Sequence, residues 1–278
     1  MPESESPSAP QTAPAAAEPE SPGPGPIPLL GWRAELRIAA AFLTAVPIPL
    51  SDADARQRVG AAVRAFPLVG VVVGGAGGAV YALVDFIGLA ASLAAFLSVA
   101  TMIGLTGALH EDGLADTADG LGGRDRVQRL AIMRDSRIGA YGVLALVLAV
   151  GLRVDALSYV GWSGEAFRIL IAAAAGSRAC IPAVMYLLDP ARPDGLGHDA
   201  GRPDHRRVVD AGAIGATVIV LVIGPIAAAA AIAAAVLAAS ALAWLARRRF
   251  GGFTGDTLGA VQQVSEIAIL LAFLAVPA

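Results

Sequence analysis

Asp112, Asp116 and Asp119 stand at i, i+4 and i+7 within residues 110–139, HEDGLADTADGLGGRDRVQRLAIMRDSRIG. On a helix turning ~100° per residue they fall within roughly 60° of one another. Carboxylates on one stripe repel, and in a low dielectric the arrangement costs free energy unless a cation sits among them. Oxygen-only donors suit Mg²⁺, Mn²⁺ or Ca²⁺ better than zinc. His110, without a cysteine or a second placed histidine, does not make a zinc site. The plain alternative is a solvated acidic helix face; Gly113, Gly120 and the adjoining apolar run weigh against it. Arg124, Arg126, Arg129, Arg134 and Arg137 are interleaved with the acids. Arginine forks and metal ions both bind phosphate, so acids plus arginines point to metal-assisted phosphoryl transfer. Arg126 and Arg129 are expected to pair internally instead, as Asp125 with Arg129 at i, i+4.

The elements that must hold this block are apolar. Of 278 residues 56% are hydrophobic and only 15% charged, well below the quarter usual in soluble domains. Apolar runs of membrane-spanning length flank the block, and too little polar surface remains to cover a soluble globule. The expected fold is therefore all-α: a polytopic integral membrane helix bundle of about six to eight membrane segments. Residues 1–28, rich in Pro, Ala, Glu and Ser, read as a disordered tail; 29–278 read as one membrane-embedded domain. Spans are expected at 66–87, 88–109, 138–160 and 166–188. Residues 29–50 have a short apolar part ending in Pro47 and Pro49, and read as a re-entrant or interfacial helix or a full span; a cytoplasmic N-terminus would require re-entry. Residues 189–210 read as a loop. Residues 211–245 are interrupted at Gly224-Pro225, and 267–276 form a last apolar run. Gly70, Gly74, Gly75, Gly77 and Gly78 give the small-residue spacing of close helix packing.

Most arginines lie at 51–65, 110–137, 189–210 and 247–263, and none in the turns near 85–90 and 161–165. All four arginine-rich segments should face the cytoplasm. That requires 211–245 to enter and return as two short or tilted helices broken at Gly224-Pro225. A net charge of −3 gives no argument for nucleic acid. Cys180 stands alone in an apolar run and reads as a small buried hydrophobe.

The block at 110–126, continued by Ile132-Met133-Arg134-Asp135-Ser136-Arg137-Ile138-Gly139, resembles the signature of the cobalamin synthase family, the adenosylcobinamide-GDP ribazoletransferases. FLTAVPIP at 42–49, FPLVGVVVG at 66–74, Ser177-Arg178, Gly195-Leu196-Gly197 and FTGDTLGAV at 253–261 followed by Glu266 also fit. The resemblance implies a last step of vitamin B12 nucleotide-loop assembly. The 3′-hydroxyl of α-ribazole, or of its 5′-phosphate, attacks the cobinamide-side phosphate of adenosylcobinamide-GDP and GMP leaves. It implies Mg²⁺, a multi-pass protein of the cell (inner) membrane, and no nucleic-acid partner; a homo-oligomer stays open. Asp116-x₂-Asp119-Gly120-x₂-Gly123-Arg124 is also similar to the opening of the CDP-alcohol phosphotransferase motif, though Asp135 lacks the second aspartate four residues on. On these resemblances Asp112, Asp116 and Asp119, with Glu111, would hold Mg²⁺. Asp135 would complete the site or act as general base, and Asp256 is the remote candidate for ligand or base, with a capped helix start as its alternative. Arg124 and Arg137 would hold the pyrophosphate, with Ser136, Arg178 and Thr254 as further substrate contacts; an acidic partner is the other reading of Arg178. The loop at 198–205 is a corrinoid or nucleotide contact or a plain connector. A phospholipid synthase using a CDP-alcohol is the alternative within this chemistry. A membrane transporter is the alternative outside it, and predicts acids near span midpoints.

Overall fold

The computed structural model describes residues 31–55 and 58–276; the expected tail at 1–28 lies outside them. Twelve α-helices follow one another: α1 (Trp32–Leu43), α2 (Asp52–Ala55), α3 (Phe66–Phe86), α4 (Ala91–Thr106), α5 (Leu109–Gly120), α6 (Arg126–Ile132), α7 (Ala140–Val160), α8 (Ser163–Leu187), α9 (Leu196–Asp199), α10 (His205–Ile223), α11 (Pro225–Arg249) and α12 (Gly255–Ala275). The extended backbone described is limited to one isolated bridge, Pro190 with Phe253. The all-α membrane bundle is thus the fold. Five helices (α3, α7, α8, α11 and α12) are long and apolar enough to cross a membrane, and α4 with α5 makes a sixth if the bent pair is counted as one. Six meets the lower end of the expected range and five falls below it: α1, with 12 residues, reaches only ~18 Å against a hydrocarbon core of ~30 Å, and α10 is not among the helices that qualify.

Glycines set the closest packing. Gly70, Gly74 and Gly78, one turn apart along α3, face Ala174, Leu170 and Phe167 of α8, so closely that a Cβ on any of them would clash. Gly77 instead faces Met102 of α4, and Gly75 faces open space. The expected small-residue seam is real, but it serves two partners. Ala172, Ala173 and Ala174 of α8 are fully buried, making α8 the central post.

The expected span at 88–109 ends early. Gly107 and Ala108 both adopt left-handed backbone, φ +60° and +58°, and α5 leaves at 89° to α4. The bend carries the acidic block out of the apolar run and lays it across the end of the bundle. At that end α5 meets the α8–α9 loop and the start of α12. At the other end Tyr159, Glu165, Gly224, Pro225 and Phe273 share one recess, so the α7–α8 turn, the α10–α11 break and the last turns of α12 lie together. Residues 211–245 thus form parts of two helices broken at Gly224, which run to that end of the bundle and back; α10 itself is not among the helices long and apolar enough to cross a membrane.

Two boundaries differ from expectation. The loop at 189–210 ends early, because α10 begins at His205. More consequentially, α12 begins at Gly255, so 255–266 is helix rather than surface segment. Gln262, Gln263, Ser265 and Glu266 in it are all buried: its polar face turns inward to other polar groups, which a hydropathy reading mistakes for exposure.

Candidate active site

The first side of the site is α5. Its first turn carries Asp112, exposed, and its later turns carry Asp116 and Asp119, half-buried. The second side is the start of α12, laid against α5 by two glycines. A Cβ at Gly113 would stand 2.7 Å from the Asp256 carbonyl oxygen, and one at Gly259 would stand 3.1 Å from the His110 carbonyl oxygen. Backbone thus lies on backbone, and Asp256 comes to the acidic stripe although 140 residues separate it from Asp116. The third side is the α8–α9 loop. Ala191 N–H donates to the Phe253 carbonyl (2.7 Å) and Phe253 N–H to the Asp189 carbonyl (3.0 Å). Gly252 permits that approach, since a Cβ there would run into the Asp189 carbonyl. The pairing holds Arg192, whose Nη2 donates to Asp256 Oδ2 at 3.0 Å.

The helix-cap alternative for Asp256 is resolved by its neighbour. Thr254 is the N-cap of α12 and forms a capping box with Thr257. The Thr254 hydroxyl also donates to Asp256 Oδ2 at 3.2 Å. Asp256 is therefore not the cap, and its carboxylate is presented to the cluster. Asp116 registers the result. α5, 12 residues long and set at 89° to α4, is no span by itself, and partial burial together with the charges of Asp112, Asp256 and Asp119 pushes the Asp116 carboxyl up to about 7, with Arg192 only partly opposing. Four carboxylates thus act on one another with one nearby arginine. That is an anionic site short of positive charge.

The other expected site residues fall elsewhere. Asp119 accepts from Gly139 N–H (2.7 Å) and Gly142 N–H (2.8 Å), one amide on each oxygen. It thereby anchors the start of α7 to α5, where the amides of a helix N-terminus favour an anion. Glu111 faces inward, away from its neighbour Asp112. Its Oε1 takes Arg153 Nη2 (3.1 Å) and Gln263 Nε2 (3.0 Å). Arg178 is 2% exposed and lies 3.8 Å from Glu266, so the acidic-partner reading describes it. Asp135 is paired with Arg137 at 2.6 Å in the α6–α7 turn, and hydrogen bonds from Arg137 hold its carboxyl down at about 2. A proton acceptor works best with a pKa near the working pH, so in this pairing Asp135 is a poor base. Ser136 and Arg137 are exposed beside it. Arg124 is exposed and forms no ion pair among the described residues, with only its backbone engaged, N–H to Gln128 at 2.8 Å.

The expected Asp125–Arg129 pair is replaced. Asp125 caps α6 by accepting from Gln128 N–H, and Arg129 donates to the carbonyls of Arg249 and Arg124. Arg126 likewise donates to the Ala191 carbonyl at 2.7 Å, tying α6 to the loop that carries Arg192. In the loop at 198–205, His198 is exposed beside Asp199, and His205 opens α10 with its ring 5.6 Å from that of Tyr186.

Beneath the acidic stripe lies a buried polar network that reasoning from spans did not find. Arg153 of α7 bridges Glu111 of α5 and Glu266 of α12 (3.3 Å). Gln262 Nε2 donates to Glu266 Oε2 (2.6 Å) and to Ser177 Oγ of α8 (3.0 Å). Two acids and two arginines balance, and four helices meet at them. An acid and an arginine each interrupting an apolar run is the signal that could have paired Glu266 with Arg153.

Comparison with known proteins identifies the family. The family model for cobalamin-5-phosphate synthase matches residues 35–274. A protein of Bradyrhizobium diazoefficiens named adenosylcobinamide-GDP ribazoletransferase is 49% identical over 86% of this chain and 92% of its own length. One of the same name from Mesorhizobium japonicum is 44% identical over 85% and 91%. No solved structure matches the chain. The chain therefore belongs to the cobalamin-5-phosphate synthase family.

Proposed function

We propose that this chain closes the nucleotide loop of cobalamin: it joins adenosylcobinamide-GDP to α-ribazole or its 5′-phosphate, releasing GMP, with Mg²⁺ at the acidic stripe. The 3′-hydroxyl oxygen forms the new bond to the cobinamide-side phosphorus, the phosphoanhydride bond breaks, and the hydroxyl proton passes to a carboxylate. The observation that carries this reading is the convergence of Asp112, Asp116 and Asp256 with one arginine between them, in a chain of this family.

The donor chemistry suits Mg²⁺: all-oxygen, anionic and partly desolvated. Among the described residues no three His, Cys, Asp or Glu side chains are arranged to hold a metal by themselves. Mg²⁺ commonly takes one or two carboxylates and completes its shell with water and substrate phosphate oxygens. Asp112 and Asp116 would hold it; when bound it would neutralise the pyrophosphate and ease departure of GMP. Asp256 is the residue placed to accept the proton, steadied by Thr254 and Arg192. Arg124, free at the surface, is available to the phosphates. Asp119 keeps α5 and α7 in register rather than contacting substrate. The membrane is the cell (inner) membrane, with the arginine-rich end and the site toward the cytoplasm. The test is GMP release by purified protein in liposomes supplied with both substrates, with Mg²⁺ and then EDTA. GMP and a cobalamin product, both lost with EDTA, are expected. No GMP from folded protein would sink the reading, and release of CMP from a CDP-alcohol would replace it.

A further inference from the structure

Between α1, α5, α8, α9 and the start of α12 lies a cavity of about 80 Å³. Its wall is apolar along one part, with Phe42, Leu43, Leu109, Ile181, Met185 and Leu258. Asp112, Asp256 and His110 supply its polar side chains, and His110 is 2% exposed with its Nε2 unpartnered. The cavity therefore joins a greasy recess directly to two carboxylates of the proposed site. A lipid chain could fill the recess but has nothing to offer the polar part.

We propose that this cavity is the acceptor subsite: it takes the apolar edge of the flat aromatic base of the acceptor nucleoside and leaves the sugar hydroxyls beside Asp112 and Asp256. The inference rests on the proposed function and assigns a place to one of its two substrates. Size and polarity choose between the groups that must be bound. A corrin ring is far too large for the recess. A guanine offers polar atoms around most of its edge, which an aliphatic wall would strand at a cost of ~1–3 kcal/mol each. A benzimidazole-type base has a hydrocarbon edge opposite its nitrogens, and its sugar is attached on the nitrogen side. The volume is roughly half of the ~150 Å³ that accepts a whole benzene ring, so one edge enters and the remainder stays at the mouth. Burying that edge also fixes which face of the ribose meets the acids, which is the orientation that in-line attack requires.

The test uses the full chain in lipid nanodiscs and two narrowing variants, Ile181→Phe in the wall and Leu196→Trp at the rim. Leu196 is 59% exposed, so the second variant keeps the buried packing. Acceptors are α-ribazole and the riboside of benzimidazole without its two methyl groups, each with saturating adenosylcobinamide-GDP. Both variants should raise KM for α-ribazole about tenfold, the scale on which a pocket discriminates a methyl-sized change. The smaller acceptor should lose clearly less, and KM for the guanosyl donor should not move. Equal losses for the two acceptors, or a shift in donor KM, would overturn the subsite while leaving the reaction standing. Absence of GMP release by the unaltered protein with either acceptor would overturn the reaction and the subsite together.

Discussion

Glu111 and Asp112 are adjacent in the chain, and they belong to two regions that treat charge in opposite ways. Glu111 turns into the bundle, where it and Glu266 are matched by Arg153 and Arg178. Asp112 turns outward to Asp116 and Asp256, where one arginine faces several acids. The inner region is balanced in charge, two acids against two arginines; the outer region is left short of positive charge. In a membrane protein that difference separates structure from chemistry. A balanced buried cluster pins helices together, and an unbalanced one at the surface waits for a cation and a phosphate.

Substitutions should separate the two regions. Asp116→Asn is expected to lower GMP release by about 10³-fold, the scale of losing a central electrostatic contact at a phosphoryl site, with thermal unfolding of the detergent-solubilised protein unchanged. A fall in thermal stability matching the loss of activity would erase the distinction. In the inner region, Arg153→Met leaves Glu111 and Glu266 short of a partner, and such a break costs ~3–5 kcal/mol. Yield and melting temperature should drop steeply, and adding Glu111→Gln should restore part of both. No recovery in the double variant would mean that the pair is not energetically coupled.

A smaller effect comes from protons. Asp116, with its carboxyl raised to about 7, is protonated below that pH, and a bound cation must displace the proton. The Mg²⁺ concentration for half-maximal rate should therefore rise as pH falls below 7, by up to about tenfold per unit, and level off above it. A flat Mg²⁺ requirement between pH 6 and 8 would remove Asp116 from the cation site. Smallest of all is the far end of the bundle. Arg168→Ala breaks an exposed i, i+3 pair with Glu165, worth ~0–1 kcal/mol, and turnover should be unaffected.

How much the sequence disclosed follows the same division. Two of the outer acids, Asp112 and Asp116, lie on one short helix with a fixed period and could be placed together from spacing alone. The return of the chain at Gly224-Pro225 could be read from arginine placement. Arg192 could not, because its position depends on a two-bond pairing between Asp189–Ala191 and Phe253, a contact with no local pattern. Glu266, Gln262 and Gln263 are buried on α12, and hydropathy, which counts polar atoms, is blind to the direction they face. Asp119 was grouped with its neighbours by period, yet its last half-turn brings it to the α7 amides, and these take both its oxygens. Arg129 was assigned to Asp125 by the i, i+4 rule, but Asp125 is worth more as a helix cap than as an exposed ion-pair partner.

The bend at Gly107-Ala108 sets two different grammars of substitution on one continuous piece of chain. Before it, in α4, any residue that lipid tolerates and that fills its place against α3 will serve. After it, in α5, exchanging one carboxylate for its amide alters the chemistry while leaving the shape alone. The boundary between these grammars is held by two residues in left-handed backbone, one of them an alanine paying ~1–2 kcal/mol for that conformation. Ala108→Gly would relieve that strain and loosen the corner in the same stroke, a trade between a firmer fold and a firmly aimed row of acids.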